Sequence, residues 1–150
     1  MATRPNPTGW WIQLGADPSA APLLERAKAR GLDTLVFDTD TQAPGARFAT
    51  RLMTRAPDST DAITADLRAL ARTEPILACA TSLRDPGALR TAATLRDDHA
   101  LPGLGSEHTE LLLTRSAWKK VLADAGLATP VVAILELSLI HISEPTRPLH

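Results

Sequence analysis

The chain alternates short apolar runs with stretches of helical periodicity, and this limits the folds open to it more than any other feature. Trp10-Trp11-Ile12-Gln13-Leu14 reads as a short buried strand, ended by Gly15-Ala16-Asp17-Pro18. A helix is expected next, with Ser19 as its cap and Pro22 in its first turn, where a missing N–H does no harm. Leu23, Leu24 and Ala27 share its apolar face, and Gly31 supplies a left-handed stop. Leu32 to Phe37 forms a second strand closed by Asp38-Thr39-Asp40, and beyond Ala43-Pro44-Gly45 the run Phe48 to Met53 has the pattern of a short edge strand. Asp58, Ser59 and Asp61 open another helix, the acids being favoured at its positive end, and Ile63, Leu67 and Leu70 fall on one face. Ile76 to Ala80 is the third clear strand. Asp85-Pro86, a cap followed by proline, opens a helix to about Arg96. Past the breaker loop Leu101-Pro102-Gly103-Leu104-Gly105, Ser106 opens a short helix to Leu113. A last helix from about Arg115 is expected to turn Trp118, Val121, Leu122 and Ala125 inward and to stop at Gly126.

Strands separated by helices pair in parallel through right-handed crossovers, and the crossovers place helices on both faces of the sheet. The expected fold is therefore an α/β domain with an open parallel sheet. A length of 150 residues suits one such core, and 44% apolar with 22% charged residues excludes a disordered chain.

Composition also narrows the partners. With 16 basic and 17 acidic residues the net charge is −1, so no positive field draws the chain to nucleic acid or to a membrane surface. Aromatic residues make up 3%, which leaves few platforms for stacking bases. No stretch approaches the roughly 20 apolar residues of a membrane span, and Trp10 to Ala16 is too short for a signal segment. A single cysteine, Cys79, cannot close an internal disulfide, so a cytoplasmic location is expected. It lies within an apolar run and reads as an inert buried thiol.

The last residues break the pattern. Leu137-Ser138-Leu139-Ile140-His141-Ile142-Ser143-Glu144-Pro145-Thr146-Arg147 resembles the in-frame translation of a transposon-end sequencing adapter, and the Ala- and Arg-rich composition stops there. The expected organisation is a domain over 1–136 and a non-native tail over 137–150, with the natural protein continuing beyond about Glu136. Two of the four histidines, His141 and His150, lie in that tail.

Few motifs suggest chemistry directly. Gly15-Ala16-Asp17 is half of a dinucleotide fingerprint, with Asp17 and Ala20 where the second and third glycines belong, and a negative Asp17 would repel phosphate. Asp38, at the end of the second strand, stands where a ribose-binding acid would. His99 and His108 flank the Pro-Gly loop beside Asp97, Asp98 and Glu107, but their spacing suits solvated loop residues better than metal ligands. Lys119-Lys120 reads as a solvated pair. No catalytic triad can be assembled, and no catalytic or metal-binding residue is assigned.

Three pieces of sequence, taken in order, resemble the N-terminal domain that precedes the nucleotide-binding region of ATP-grasp ligases. The first is Leu14-Gly15-Ala16 with the helix ending at Ala27-Lys28-Ala29-Arg30-Gly31. The second is Val36-Phe37-Asp38-Thr39-Asp40 with Ala43-Pro44-Gly45-Ala46. The third and most specific is Leu101-Pro102-Gly103, then Thr114-Arg115, then Leu122-Ala123-Asp124-Ala125-Gly126-Leu127-Ala128-Thr129-Pro130. The similarity runs from Leu14 to Pro130. It departs where the family has an Asp-Lys pair and this chain has Thr114-Arg115.

The resemblance implies a Rossmann-like domain at the start of an ATP-dependent ligase. Such an enzyme activates a carboxylate as an acyl phosphate with ATP and magnesium, then transfers it to a nucleophile. It also implies a small-molecule substrate, leaves a homodimer open, and makes Arg115 the residue to contact an ATP phosphate. Arg115 keeps the charge of the family's lysine but presents a planar fork in place of a point-charge ammonium. The nucleotide lid and the metal-binding acids would lie beyond residue 136, so the chain alone is expected to be inactive and to bind nucleotide weakly. Two other readings stand beside it: a free-standing nucleotide- or dinucleotide-binding α/β module, and a non-catalytic interaction domain of receiver type built on Asp38 and Asp40. The second lacks the strand-end lysine such a domain needs.

Overall fold

The computed structural model describes residues 8–130, so the adapter-like stretch and the end of the expected 1–136 domain lie outside the described residues. The chain falls into two units, one ending at Leu113 and one beginning at Thr114.

The first unit is built on four strands, β1 (Trp10–Leu14), β2 (Asp33–Asp38), β3 (Arg51–Thr54) and β4 (Ile76–Thr81), in the order β3-β2-β1-β4. All three pairings are parallel: Ile12 lies opposite Leu35 and Cys79, and Phe37 opposite Met53. The open parallel sheet is the expected one, although β2 and β3 pair in parallel across a connection that holds only a 3-10 turn rather than a helix. Strand pleating divides the apolar residues between the two faces. On one face Ile12, Leu14, Leu35, Phe37 and Cys79 meet Ile63 and Leu67 of α2 (Thr60–Leu70) and Ala92 and Leu95 of α3 (Pro86–Asp98). On the other, Val36 packs with Leu24 of α1 (Ala21–Ala29) and with Ala16, Ala20 and Ala43. Helices thus cover both faces, and each fully buried Leu, Ile or Phe is worth about 1.5–3 kcal/mol.

Several local expectations shift. The residue before α1 is Ala20, not Ser19, and the Asp17 carboxylate caps the turn instead, accepting the Ala20 N–H at 3.3 Å. Leu24 and Ala27 are buried, but Leu23 is 43% exposed, because the sheet covers a narrower strip of this short helix than the apolar spacing marks. The edge strand starts at Arg51. Ala46–Phe48 forms a 3-10 turn that leaves its first half to the loop, and Thr34 ties that loop down by donating its hydroxyl to the Phe48 carbonyl at 3.0 Å. Asp85 caps α3 as expected, accepting the Ala88 N–H at 2.8 Å, and Pro86 occupies the first turn.

α4 (Ser106–Leu113) owes its start to α3. Asp97 Oδ2 accepts the Ser106 N–H at 2.8 Å, and hydrogen bonds from Ser106 hold the Asp97 carboxyl below the usual carboxylate range. His99 closes α3 and is half-buried, with an Nε2 that has no hydrogen-bond partner, so it is not the solvated loop residue its neighbours in sequence suggest.

The second unit contains α5 (Arg115–Asp124), followed by Gly126 at φ +75°. The expected inward turn of its apolar stripe is not found: Val121 and Ala125 are exposed, Trp118 and Leu122 half-buried, and the helix has no buried residue. No helix among the described residues is long and apolar enough to cross a membrane.

Candidate functional site

In the order β3-β2-β1-β4 the chain steps outward from β1 to β2 and β3, then crosses to the opposite side for β4. That reversal leaves a switch point between β1 and β4, and ligands of open parallel sheets bind beyond the carboxyl ends of the strands at such a point. The residues brought there are Gly15-Ala16-Asp17 after β1, Asp38 at the end of β2, and Thr81-Ser82-Leu83 at the end of β4.

Gly15 is required at its position. Its φ is +84°, a left-handed conformation that other residues adopt at a cost, and a Cβ added to it would stand 2.7 Å from the Leu83 side chain. Its N–H donates to the Phe37 carbonyl at 2.9 Å, which holds the turn to the end of β2. Asp38 clamps the next residue, with Oδ2 accepting the Ala16 N–H at 2.7 Å and Oδ1 accepting the Asp40 N–H at 2.8 Å. The sequence offered Asp38 as a ribose-binding acid. In the structure both of its oxygens serve the backbone of the two turns.

Asp17 is the second acid at the switch point. Its Oδ1 accepts a hydrogen bond from the Ser82 hydroxyl and also faces the Ala20 N–H, so a carboxylate occupies the start of α1 where a phosphate would seek free N–H groups. Thr81 completes the crossing, donating its hydroxyl to the Leu14 carbonyl at 2.9 Å and accepting the Leu83 N–H at 3.1 Å. The result is a braced, acid-lined ridge with no ion pair to either Asp17 or Asp38 among the described residues. Sequence reading singled out Gly15, Asp17 and Asp38. It missed Thr81 and Ser82, whose signal was only a pair of hydroxyls directly after the third apolar run.

Arg115, the expected phosphate contact, is the first residue of α5 in the second unit. It is exposed and forms no ion pair with another described residue. Thr114 precedes α5 without a side-chain cap bond. Lys120 pairs with Asp124 at 3.0 Å, one helical turn on. Among the described residues no group of three or more His, Cys, Asp or Glu side chains is placed to hold a metal ion.

No protein-family model matches the chain, and no curated protein does. Solved structures do match. Phosphoribosylglycinamide synthetase from Anaerococcus prevotii superposes with a TM-score of 0.67 at 18% identity, over 79% of this chain and 29% of that one. The L-amino acid ligase from Bacillus licheniformis gives 0.63 at 20% identity, over 82% and 32%. N5-carboxyaminoimidazole ribonucleotide synthetase from Thermotoga maritima gives 0.63 at 14% identity, over 82% and 32%. The chain thus spans about a third of the length of each of these enzymes. At such identities the likeness is one of fold, an α/β domain with an all-parallel sheet that these synthetases and this ligase share.

Proposed function

We propose that the chain is the N-terminal domain of an ATP-dependent ligase that activates a carboxylate as an acyl phosphate and transfers it to a nucleophile. The observation that supports this best is the all-parallel sheet in the order β3-β2-β1-β4, which superposes on synthetases and a ligase over about four-fifths of the chain. The ordered run from Leu101-Pro102-Gly103 through Thr114-Arg115 to Thr129-Pro130 adds to it.

In such a reaction a substrate carboxylate oxygen attacks the terminal phosphorus of ATP and ADP leaves. The nucleophile then attacks the acyl carbon and phosphate leaves. Bound magnesium would neutralise phosphate charge during the first step, with its ligands outside the described residues. This chain's part is positional: the braced turns after β1, β2 and β4 hold one wall of a substrate cleft, and Arg115 offers a charge-assisted hydrogen bond to a nucleotide phosphate. The parent enzyme would be cytoplasmic, with a small-molecule substrate.

A dinucleotide-binding module is the less favoured reading. Asp17 places negative charge at the start of α1, and Leu83 covers Gly15, where a pyrophosphate would need open backbone.

Calorimetric titration with MgATP tests the proposal. One exposed cation without a phosphate cradle gives little net binding, so this chain alone should show no saturable heat and no turnover. Recovering the reading frame downstream of Glu136 should yield an active enzyme, in which Arg115→Ala weakens ATP use by about 1.5–3 kcal/mol. Tight binding by the chain alone would instead favour the nucleotide-binding module.

A further inference from the structure

β4 ends the sheet, so its outer edge has no partner strand among the described residues. Arg96 of α3 reaches β4, donating from Nε to the Cys79 carbonyl at 3.1 Å and from Nη1 to the Leu104 carbonyl at 3.1 Å. The guanidinium therefore spans the gap between the sheet and the Leu101–Gly105 loop. Beside it opens a cavity of about 460 Å³, lined by Leu89, Leu112 and Leu113 as well as Cys79, Leu104 and Arg96.

Three features of the cavity define a ligand. Its volume lies in the range of small-molecule sites, which is roughly 300–1,000 Å³. Its lining is mostly aliphatic, with Thr109 and Cys79 beside the leucines and no aromatic ring for a planar ligand to stack on. Its one charged wall residue, Arg96, is held by two carbonyls, is in none of the ion pairs of the described residues, and makes no hydrogen bond from Nη2 to them. A fixed guanidinium with spare donors beside apolar surface complements a carboxylate carried on an aliphatic chain.

We propose that this cavity binds a medium-chain aliphatic carboxylate, its chain among the leucines and its carboxylate on Arg96 Nη2. None of the lining residues belongs to the turns at the β1–β4 switch point, and the site does not depend on the ligase reading.

Octanoate, 1-octanol and octylammonium are the probes, titrated separately into the full chain and followed by calorimetry. Octanoate should bind saturably at one site, at least about tenfold more tightly than either of the others. Leu112 is 56% exposed at the rim, so Leu112→Glu should leave the ligand-free unfolding midpoint unchanged while weakening octanoate at least about tenfold by like-charge repulsion. Arg96→Met should erase the preference for octanoate over 1-octanol. If that variant does not fold, Leu112→Glu and the three-ligand series decide. Absent or non-saturable octanoate binding, equal affinity for octanoate and octylammonium, or wild-type affinity in Leu112→Glu each overturns the proposal. So does self-association that Leu112→Glu abolishes, which would make the cavity an interface between copies of the chain.

Discussion

The carboxylate of Asp38, at the end of β2, accepts the backbone N–H of Ala16 at 2.7 Å and so fixes the turn that follows the neighbouring strand. A half-buried, charge-assisted bond of this kind is worth about 1.5–3 kcal/mol. Asp38→Ala should lower the unfolding free energy by about that much in urea titration, and Asp38→Asn, which keeps an acceptor, should lose less. Equal losses in the two variants would show that the turn does not depend on this acceptor.

The two leucines of α1 separate sharply. Leu24 is fully buried against the second apolar cluster, whereas Leu23 is 43% exposed. Leu24→Ala should cost about 2–5 kcal/mol through lost transfer energy and the cavity left behind, and Leu23→Ala should stay within about 0.5 kcal/mol. Parallel denaturation curves of the two variants check this, and comparable losses would contradict the orientation of α1.

Burial pushes the Cys79 thiol up to about 12, against the opposing pull of the Arg96 charge. The unfolded thiol ionises near its ordinary value of 9.0, so between there and about 12 the unfolded state binds fewer protons than the folded one. The contribution of Cys79 to stability is therefore complete below that window and is lost as the pH rises through it. Cys79→Ala should show a shallower alkaline decline in unfolding free energy than the parent chain. At neutral pH the native thiol should resist alkylation and become reactive on unfolding, which a mass-shift assay with and without urea reads directly.

If the stretch from Leu137 to Arg147 is translated adapter, as we propose from its resemblance to one, it was never selected to pack and should contribute nothing to the fold. Truncation after Glu136 should leave the unfolding midpoint unchanged. A loss beyond about 1 kcal/mol, typical of removing real contacts, would show that the segment belongs to the domain.

Local sequence alone determined the elements and the class of the sheet. Apolar runs of strand length, the Asp85-Pro86 start of α3, and Gly15 and Gly31 at positive φ all act through their immediate neighbours, and helices between strands leave parallel pairing as the outcome. Tertiary structure decided whatever depends on residues distant in the chain. Asp38 spends its oxygens on the turns at Ala16 and Asp40, Asp97 of α3 starts α4, and Arg96 ties β4 to the Leu104 carbonyl beside an open cavity. Which face of α1 is buried, and where the edge strand begins, belong with these. Each turns on which backbone groups and apolar surfaces lie within hydrogen-bonding or contact distance once the sheet has closed, and periodicity along the chain carries no record of those distances.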